Sequence, residues 1–178
     1  MLDRLTGFFI ICLLLGATHV HRVDAQTAVS QEYQIKAVFL YKLAKFVEWP
    51  ENTKLNGIKL CVLGEPPFGN VLDQISEISQ NSETRVLIQP VGLTEDLSSC
   101  NELYICKSER TRLPQIIDRI GSSPILSISD IEGFSGLGII ELVLRANRVS
   151  FVINLDLAKK HNLQLDPRLL QLALRVLP

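Results

Sequence analysis

Side chains that could perform chemistry are few in this sequence and are scattered along it. The acidic residues of its second half, such as Asp130 and Glu141, follow no spacing that sets two carboxylates on one face of a cleft. Asp130 is the best single candidate, because it lies just beyond the end of a predicted strand. Its alternative role is to cap the turn at Ile131. The sequence therefore gives no support to acid–base catalysis by paired carboxylates.

Metal-binding and nucleophilic motifs are also missing. His161 is the one histidine after residue 25, it follows two lysines, and neither C-x-x-C nor H-x-x-x-H occurs. Residues 133–136 (GFSG) resemble a nucleophile elbow, but the second glycine comes one residue too soon, so a turn explains them better. Residues 64–69 lie where α/β folds often bind ligands, yet their two prolines remove backbone donors. We expect no catalytic residue, no metal and no cofactor, and hence a binding protein.

The first 25 residues have the features of a secretory signal peptide. Arg4 precedes an apolar stretch over residues 5–17, and small residues at 23–25 offer a cleavage site. A membrane anchor is the alternative, but a spanning helix needs roughly 20 apolar residues. We expect residues 1–25 to be removed and residues 26–178 to form one domain in the bacterial periplasm.

The charge balance argues against a nucleic-acid partner. Lysine and arginine total 18, aspartate and glutamate total 19, and the formal net charge is −1. Nucleic-acid binding usually requires a strongly basic face. Lys36, Lys42 and Lys45 recur along one segment, and we interpret them as the solvated face of a helix.

A helix is predicted over residues 30–48. Its apolar residues recur at three- and four-residue spacing, Ser30 is a candidate N-cap, and Trp49-Pro50 is expected to end it. Short apolar runs then alternate with helical patterns. The predicted strands are 58–63, 85–91, 102–106 and 124–128, and the predicted helices are 68–78 and 108–120. This alternation indicates βαβ units and a largely parallel sheet, with Pro90 at an edge or a strand end.

The alternation of strands and helices ends in the C-terminal third of the sequence. Strands are predicted over 138–144 and 148–153, separated by Arg145-Ala146-Asn147 at hairpin spacing. A last helix is predicted with Asp166 as N-cap, Pro167 in its first turn, and an apolar stripe of Leu169, Leu172, Ala173 and Val176. We expect a single compact α/β domain whose mixed, largely parallel sheet is flanked by helices and followed by a hairpin and a helix.

Three cysteines lie after residue 25, namely Cys61, Cys100 and Cys106. An exported chain meets an oxidising compartment, so one disulfide and one free thiol are the simplest arrangement. The residues alone allow three different pairings. As a free thiol among apolar neighbours, Cys106 would be inert packing.

Several blocks in order resemble the YfiR family. They are residues 32–41 (EYQIKAVFLY), 44–50 (AKFVEWP), 60–64 (LCVLG), 128–130 (ISD) and 148–155 (RVSFVINL). The resemblance spans nearly all of the chain after the leader. Two departures are that the cysteines of a second disulfide found in some members are missing, and that Val152 replaces an acidic residue often found there.

The resemblance implies a periplasmic repressor that is not an enzyme. It would bind the periplasmic sensor region of an inner-membrane diguanylate cyclase, or a sensor kinase in its place. An OmpA-like outer-membrane lipoprotein would sequester it, and it would be a homodimer. The family's disulfide carries over to Cys61–Cys100.

Two surfaces are expected to contact a partner or ligand: the corner at residues 48–50 and the region 134–154. The individual candidates are Trp49, Pro50, Asp130, Phe134, Phe151 and Asn154. Trp49 suits an interface anchor, and core packing is its alternative. The alternative function is a periplasmic sensor that binds an aromatic or nucleotide-like small molecule near Gly64 or Asp130.

Overall fold

The computed structural model describes residues 23–50 and 57–178, with side chains described from residue 31 onward. The predicted signal peptide, residues 1–25, lies outside the described part of the chain except for its last three residues. No helix among the described residues is long and apolar enough to cross a bilayer.

Five α-helices and nine strands make up the described chain. The helices are α1 Val23–Leu43, α2 Val71–Ser79, α3 Leu113–Ile120, α4 Leu155–Lys160 and α5 Pro167–Leu172. The strands are β1 Val47–Glu48, β2 Ile58–Leu63, β3 Val86–Val91, β4 Glu102–Ile105, β5 Leu126–Ser129, β6 Ile140–Arg145, β7 Arg148–Asn154, β8 Gln164–Leu165 and β9 Arg175–Leu177. Short 3-10 helices cover Ala44–Phe46, Lys107–Arg112 and Phe134–Gly136.

The main sheet has seven strands in the order β3-β2-β4-β5-β6-β7-β9. All neighbouring pairs are parallel except the β6–β7 hairpin. The chain leaves β2 toward β3 and then returns to place β4 on the other side of β2, so the winding direction reverses there. This confirms the predicted fold class, a mixed and largely parallel sheet flanked by helices.

Alternate residues of the central strands enter two hydrophobic cores. On β4, Tyr104 belongs to the core that includes Leu40 of α1, and Leu103 and Ile105 belong to the core that includes Ile116 of α3. Both faces of the central strands are therefore covered, as expected for parallel strands made of continuous apolar runs.

The first helix differs from the prediction at both ends. Because α1 begins at Val23, Ser30 lies inside the helix and is not its N-cap. The α-helix ends at Leu43, and Trp49-Pro50 follows only after a 3-10 turn and strand β1. The helical spacing was misleading here because β1 pairs antiparallel with β8, with Val47 opposite Leu165. A partner so distant in sequence leaves no local signal.

The last predicted helix is correct at its start and wrong at its end. The Asp166 carboxylate accepts the Arg168 N–H, and Pro167 is the first helical residue. The helix stops at Leu172, so Ala173 and Val176 do not extend its stripe. Residues 175–177 instead form β9, parallel to β7, with Val176 beside Ile153. Pairing with a distant strand again overrides the local pattern.

The other elements agree with the predictions to within a few residues. The hairpin loop is shorter than expected, because Arg145 and Arg148 pair across it. Ala146 and Asn147 remain as its two loop residues, with φ of 47° and 61°. Strand β3, which contains Pro90, lies at a sheet edge as predicted. Residues 108–112 are 3-10 rather than α-helical. Helix α4 was not predicted.

The disulfide implied by the family resemblance is present. Cys61 and Cys100 are bridged with a Cα–Cα distance of 5.8 Å. The bridge ties the middle of β2 to the residues that precede β4. Cys106 is unbridged and buried.

Candidate functional site

The candidate site lies at the carboxyl edge of the central strands. Gly64 follows β2, Lys107 lies two residues beyond β4, and Asp130 follows β5. Parallel strands end at a common edge, and the winding reversal between β2 and β4 is where open α/β sheets usually bind ligands. The chemistry at this edge is therefore the first place to look for function.

Asp130 is buried there, and its main partner comes from helix α1. The Lys36 side chain, only 1% exposed, extends from α1 to the carboxyl edge of the sheet, where its Nζ lies 2.5 Å from Asp130 Oδ2. The same ammonium pairs with the Glu32 carboxylate one helical turn earlier. The interpretation of Lys36 as part of a solvated face is thus wrong, although Lys42 and Lys45 are exposed. The reason is that α1 lies on the sheet and turns this lysine toward Asp130.

Three more side chains complete the Asp130 cluster, which we define as Glu32, Tyr33, Lys36, Tyr104, Lys107 and Asp130. The Tyr104 hydroxyl donates to Asp130 Oδ1 at 2.9 Å. Lys107 Nζ lies 3.2 Å from Oδ2, on a largely exposed side chain. The Tyr33 ring lies under the Lys36 ammonium, 4.5 Å from its centroid. Two carboxylates thus face two ammonium groups.

The charges of the cluster compensate one another. Burial raises the pKa of Asp130, but the hydrogen bond and charge of Lys36, aided by Lys107, outweigh it, so the pKa lies below its ordinary value. Burial, followed by the Asp130 charge, raises the pKa of Tyr33 to about 12. The same causes raise the pKa of Tyr104. At neutral pH the carboxylate is ionised and both phenols keep their protons, so the arrangement works as a clamp between α1 and the sheet.

Cys106 lies beside this cluster as an unreactive thiol. Burial raises its pKa to about 12, and the nearby charges of Asp130 and Glu109 add to the effect. A nucleophilic cysteine needs the opposite, a thiolate stabilised by positive charge. The thiol therefore serves packing, in agreement with the sequence interpretation.

A second polar arrangement fixes the turn at residues 133–136. The Glu141 carboxylate accepts the backbone N–H groups of Gly133 at 3.1 Å and Ser135 at 2.9 Å. It also accepts the Ser135 hydroxyl at 2.7 Å, and the Asn154 amide donates to the Ser135 carbonyl. These bonds hold Ser135 in the turn, with both its N–H and its hydroxyl donating to Glu141. Sequence reasoning missed Glu141, whose role depends on the β5–β6 connection folding back.

The crevice beside Gly64 is filled. A Cβ added at Gly64 would lie 2.5 Å from Ser108 Oγ and 2.8 Å from Glu109 Cγ. The Glu65 N–H donates to the same Ser108 hydroxyl at 2.9 Å. A cavity of about 230 Å³ exists instead at the opposite end of the strands, where Lys45, Glu83 and Arg85 line it.

The predicted contact residues are mostly interior. Trp49 is 7% exposed, and its Nε1 donates to the Asn101 carbonyl at 3.0 Å. Phe134 and Phe151 are buried, Asn154 is half-buried, and Pro50 is exposed. Their roles as contact residues stay predictions. The buried ones pack in the interior of the domain.

Within residues 23–50 and 57–178, no group of three or more His, Cys, Asp or Glu side chains could hold a metal ion. The polar groups described above are bonded mainly to one another.

Comparisons with known proteins give a family and a fold. A family model described as YfiR/HmsC-like matches residues 33–174. Among solved structures, the chain is similar to one described as the ABC domain in complex with L-Trp from Streptococcus pneumonia. That likeness has a TM-score of 0.54 at 14% sequence identity and covers 79% of this chain. The chain spans 60% of the length of that structure, and the likeness concerns the fold alone.

Proposed function

We propose, since the chain belongs to the YfiR/HmsC-like family, that it is a periplasmic regulatory protein that represses an inner-membrane signalling protein. The target is a diguanylate cyclase, and repression occurs by direct contact with its periplasmic sensor region. The observation that carries the proposal is the family match over residues 33–174.

Two features of the structure support this assignment. The disulfide between Cys61 and Cys100 suits an oxidising compartment such as the periplasm. The buried Lys36, Tyr104 and Asp130 side chains at the carboxyl edge are bonded to one another, which suits a rigid binding module. We propose accordingly that the protein acts by binding rather than by catalysis.

Repression by contact is a shift in populations. The regulator binds the inactive state of the cyclase more tightly than the active state, and only this difference in affinity matters. Moving an equilibrium from 1:99 to 99:1 takes about 10,000-fold preference, or about 5.5 kcal/mol. A tightly packed domain with fixed surface groups loses little conformational freedom on binding, so more of its contact energy appears as affinity for the state whose surface it fits.

The remaining partners belong to the same proposal. The protein acts as a homodimer, and an OmpA-like outer-membrane lipoprotein relieves repression by sequestering it. A sensor kinase takes the place of the cyclase where the neighbouring gene encodes one.

Deletion of the gene tests the proposal in cells. We expect cyclic di-GMP to rise severalfold in the deletion strain and to return to its original level when the gene is restored with its leader. A copy without residues 1–25, which stays in the cytoplasm, is the control and should fail to restore it. Unchanged cyclic di-GMP after deletion would contradict the proposal.

The small-molecule sensor is the less favoured function. It would place a ligand near Gly64 or Asp130, where Ser108, Glu109 and Lys36 already fill the space. We therefore expect no rise in melting temperature when the purified protein is screened against aromatic amino acids and nucleotides. A reproducible, saturable rise for one compound would reverse this ranking.

A further inference from the structure

Glu102, the first residue of strand β4, is fully buried. Neither oxygen of its carboxyl group has a hydrogen-bond partner within the described part of the chain. A buried polar group without a partner is uncommon in a native fold, because it loses its bonds to water and gains none in return. The functions proposed above do not involve Glu102, so its burial needs an explanation of its own.

The side chain of Glu102 points into the hydrophobic core that α1 covers. Side chains alternate along a strand, so Glu102 lies on the same face of β4 as Tyr104, which belongs to that core. Its neighbours on the adjacent strands are Leu60 of β2 and Leu126 of β5. Both leucines are buried in the same core, so the carboxyl group is flanked by apolar side chains on both sides.

No charged group among residues 23–50 and 57–178 compensates Glu102. The Asp130 cluster, with Cys106 beside it, lies at the carboxyl end of the strands, whereas Glu102 lies at the amino end. Lys59 of β2 faces away from this core, because it alternates with Leu60. The other titratable side chains on the surrounding elements are exposed or bonded to different groups, namely Lys42, Lys45, Glu48, Tyr41 and His161. Burial raises the pKa of Glu102 well above its ordinary value of 4.5.

The peptide group just before Glu102 binds the indole of Trp49. Trp49 Nε1 donates to the Asn101 carbonyl at 3.0 Å, and the Leu126 N–H of β5 donates to the same oxygen at 2.8 Å. The Asn101 side chain accepts the Lys59 N–H of β2 at 2.8 Å. The start of β4 therefore joins the chain around Trp49 to both adjacent strands.

We propose that Glu102 is a pH-sensitive switch that controls the corner at residues 48–50. The protonated carboxyl group stays in the apolar core, and the corner stays closed. The ionised group must reach water to recover its hydration. Because Glu102 is the first residue of β4, its shortest route to solvent runs past the amino end of the strand, where Trp49 is bonded to the Asn101 carbonyl. Ionisation therefore releases the indole while the rest of the fold stays intact, since local openings cost less free energy than global unfolding.

Such a switch gives the regulator a response to alkaline conditions. The corner at residues 48–50 is one of the two surfaces predicted to contact a partner, so its opening would weaken repression as the periplasm becomes alkaline. This consequence rests on the proposed function. The switch itself does not, because it is a property of the free protein.

The fluorescence of Trp49 tests the switch, because the sequence contains one tryptophan. Acrylamide quenching and far-ultraviolet circular dichroism are measured on the purified mature protein from pH 6 to pH 9. We expect the quenching constant of the wild type to rise about twofold while its circular dichroism stays unchanged, as a local opening requires. Glu102→Gln and Glu102→Leu have no ionisable group at this position, so their quenching constants should not change with pH. Glu48→Gln, at an exposed glutamate next to Trp49, is the matched control and should respond like the wild type.

Three results would overturn the switch. The first is a quenching constant of the wild type that does not change with pH, and the second is an equal rise in the wild type and both Glu102 variants. The third is loss of circular dichroism together with the rise, because Glu102 would then act on the whole fold and not on the corner. None of these results bears on the repressor function, which the cyclic di-GMP measurement tests independently. A rise that is abolished in both Glu102 variants and retained in Glu48→Gln would support the switch.

Discussion

At the scale of single residues, two buried carboxylates behave in opposite ways. Asp130 is matched by Lys36, Tyr104 and Lys107. Glu102 is fully buried on β4, and neither carboxylate oxygen has a hydrogen-bond partner among the described residues. A buried charge is tolerated when paired and bonded, and is otherwise avoided by taking up a proton. The two residues therefore make different predictions.

Lys36→Met should destabilise the protein strongly. It leaves the Asp130 carboxylate buried without its closest counter-charge, and breaking one partner of a buried pair typically costs about 3–5 kcal/mol. Urea denaturation at pH 7 measures this loss. Lys42→Met, on the same helix but exposed, is the control and should change stability by less than about 0.5 kcal/mol.

The pH dependence of this pair has a definite sign. The pKa of Asp130 is lowered in the folded protein, so its stabilising contribution is present above the unfolded pKa and is lost as pH falls through the folded one. The wild type should therefore lose more stability on acidification than Lys36→Met does. Equal loss in the two proteins would show that the pair contributes nothing.

The Glu102→Gln variant should be more stable than the wild type at alkaline pH. Burial raises the pKa of Glu102 well above its ordinary value of 4.5, so the folded state holds a proton that the unfolded state releases. Its contribution is present in full below the unfolded pKa and is lost as pH rises through the folded pKa. The urea midpoint of the wild type should fall from pH 5 to pH 8 more steeply than that of the glutamine variant. Parallel curves would contradict a raised pKa.

At the scale of elements, contacts between distant segments hold the candidate site together. Helix α1 is fixed at one point by Lys36 and at another by Phe39, whose ring meets Phe151 of β7 edge-on with centroids 5.9 Å apart. The turn at residues 133–136 is fixed by Glu141 of β6. The surfaces proposed to contact a partner thus lie on elements that are held in place by contacts with one another.

Gly138→Ala tests the packing of this turn. A Cβ at Gly138 would lie 2.1 Å from Phe134 Cζ, inside a buried ring that has little room to move. We expect a loss of about 1–3 kcal/mol, the usual cost of overpacking. Gly136→Ala is the matched control, because nothing lies within 4 Å of its added Cβ. Comparable melting temperatures for the two variants would show that the turn shifts freely.

At the scale of the whole molecule, one covalent link joins the sheet to a connecting loop. The bridge between Cys61 and Cys100 spans 39 residues of sequence, which encloses α2 and β3. In the loop-entropy model such a bridge stabilises the fold by roughly 4 kcal/mol. The folded domain should therefore depend on the redox state of its surroundings.

Reduction should lower the stability of the wild type and not that of a variant lacking the bridge. We expect dithiothreitol to decrease the melting temperature of the wild type to near that of the Cys61→Ala/Cys100→Ala protein. The same reagent should leave that double variant unchanged, which serves as the control. A wild-type melting temperature insensitive to complete reduction would rule out a structural role for the bridge.

Local signals in the sequence determined much of the fold. The apolar runs that became β2 to β5, the N-cap pair Asp166-Pro167 and the hairpin turn at Ala146-Asn147 all depend on neighbouring residues, and all were predicted correctly or nearly so. The Cys61–Cys100 pairing came from family resemblance, since the residues alone left three pairings open.

Only the tertiary structure decided the rest. Lys36 was predicted to be solvated, and it is buried only because α1 packs on the sheet. Strands β1 and β9 could not be predicted from local patterns because their partners, β8 and β7, lie far away in the chain. Hydrophobic spacing reports which face of an element is buried, but not which distant group meets a polar side chain there. The Asp130 cluster and strand β9 are products of such long-range contacts, and for that reason periodicity, capping and turn signals could not reveal them.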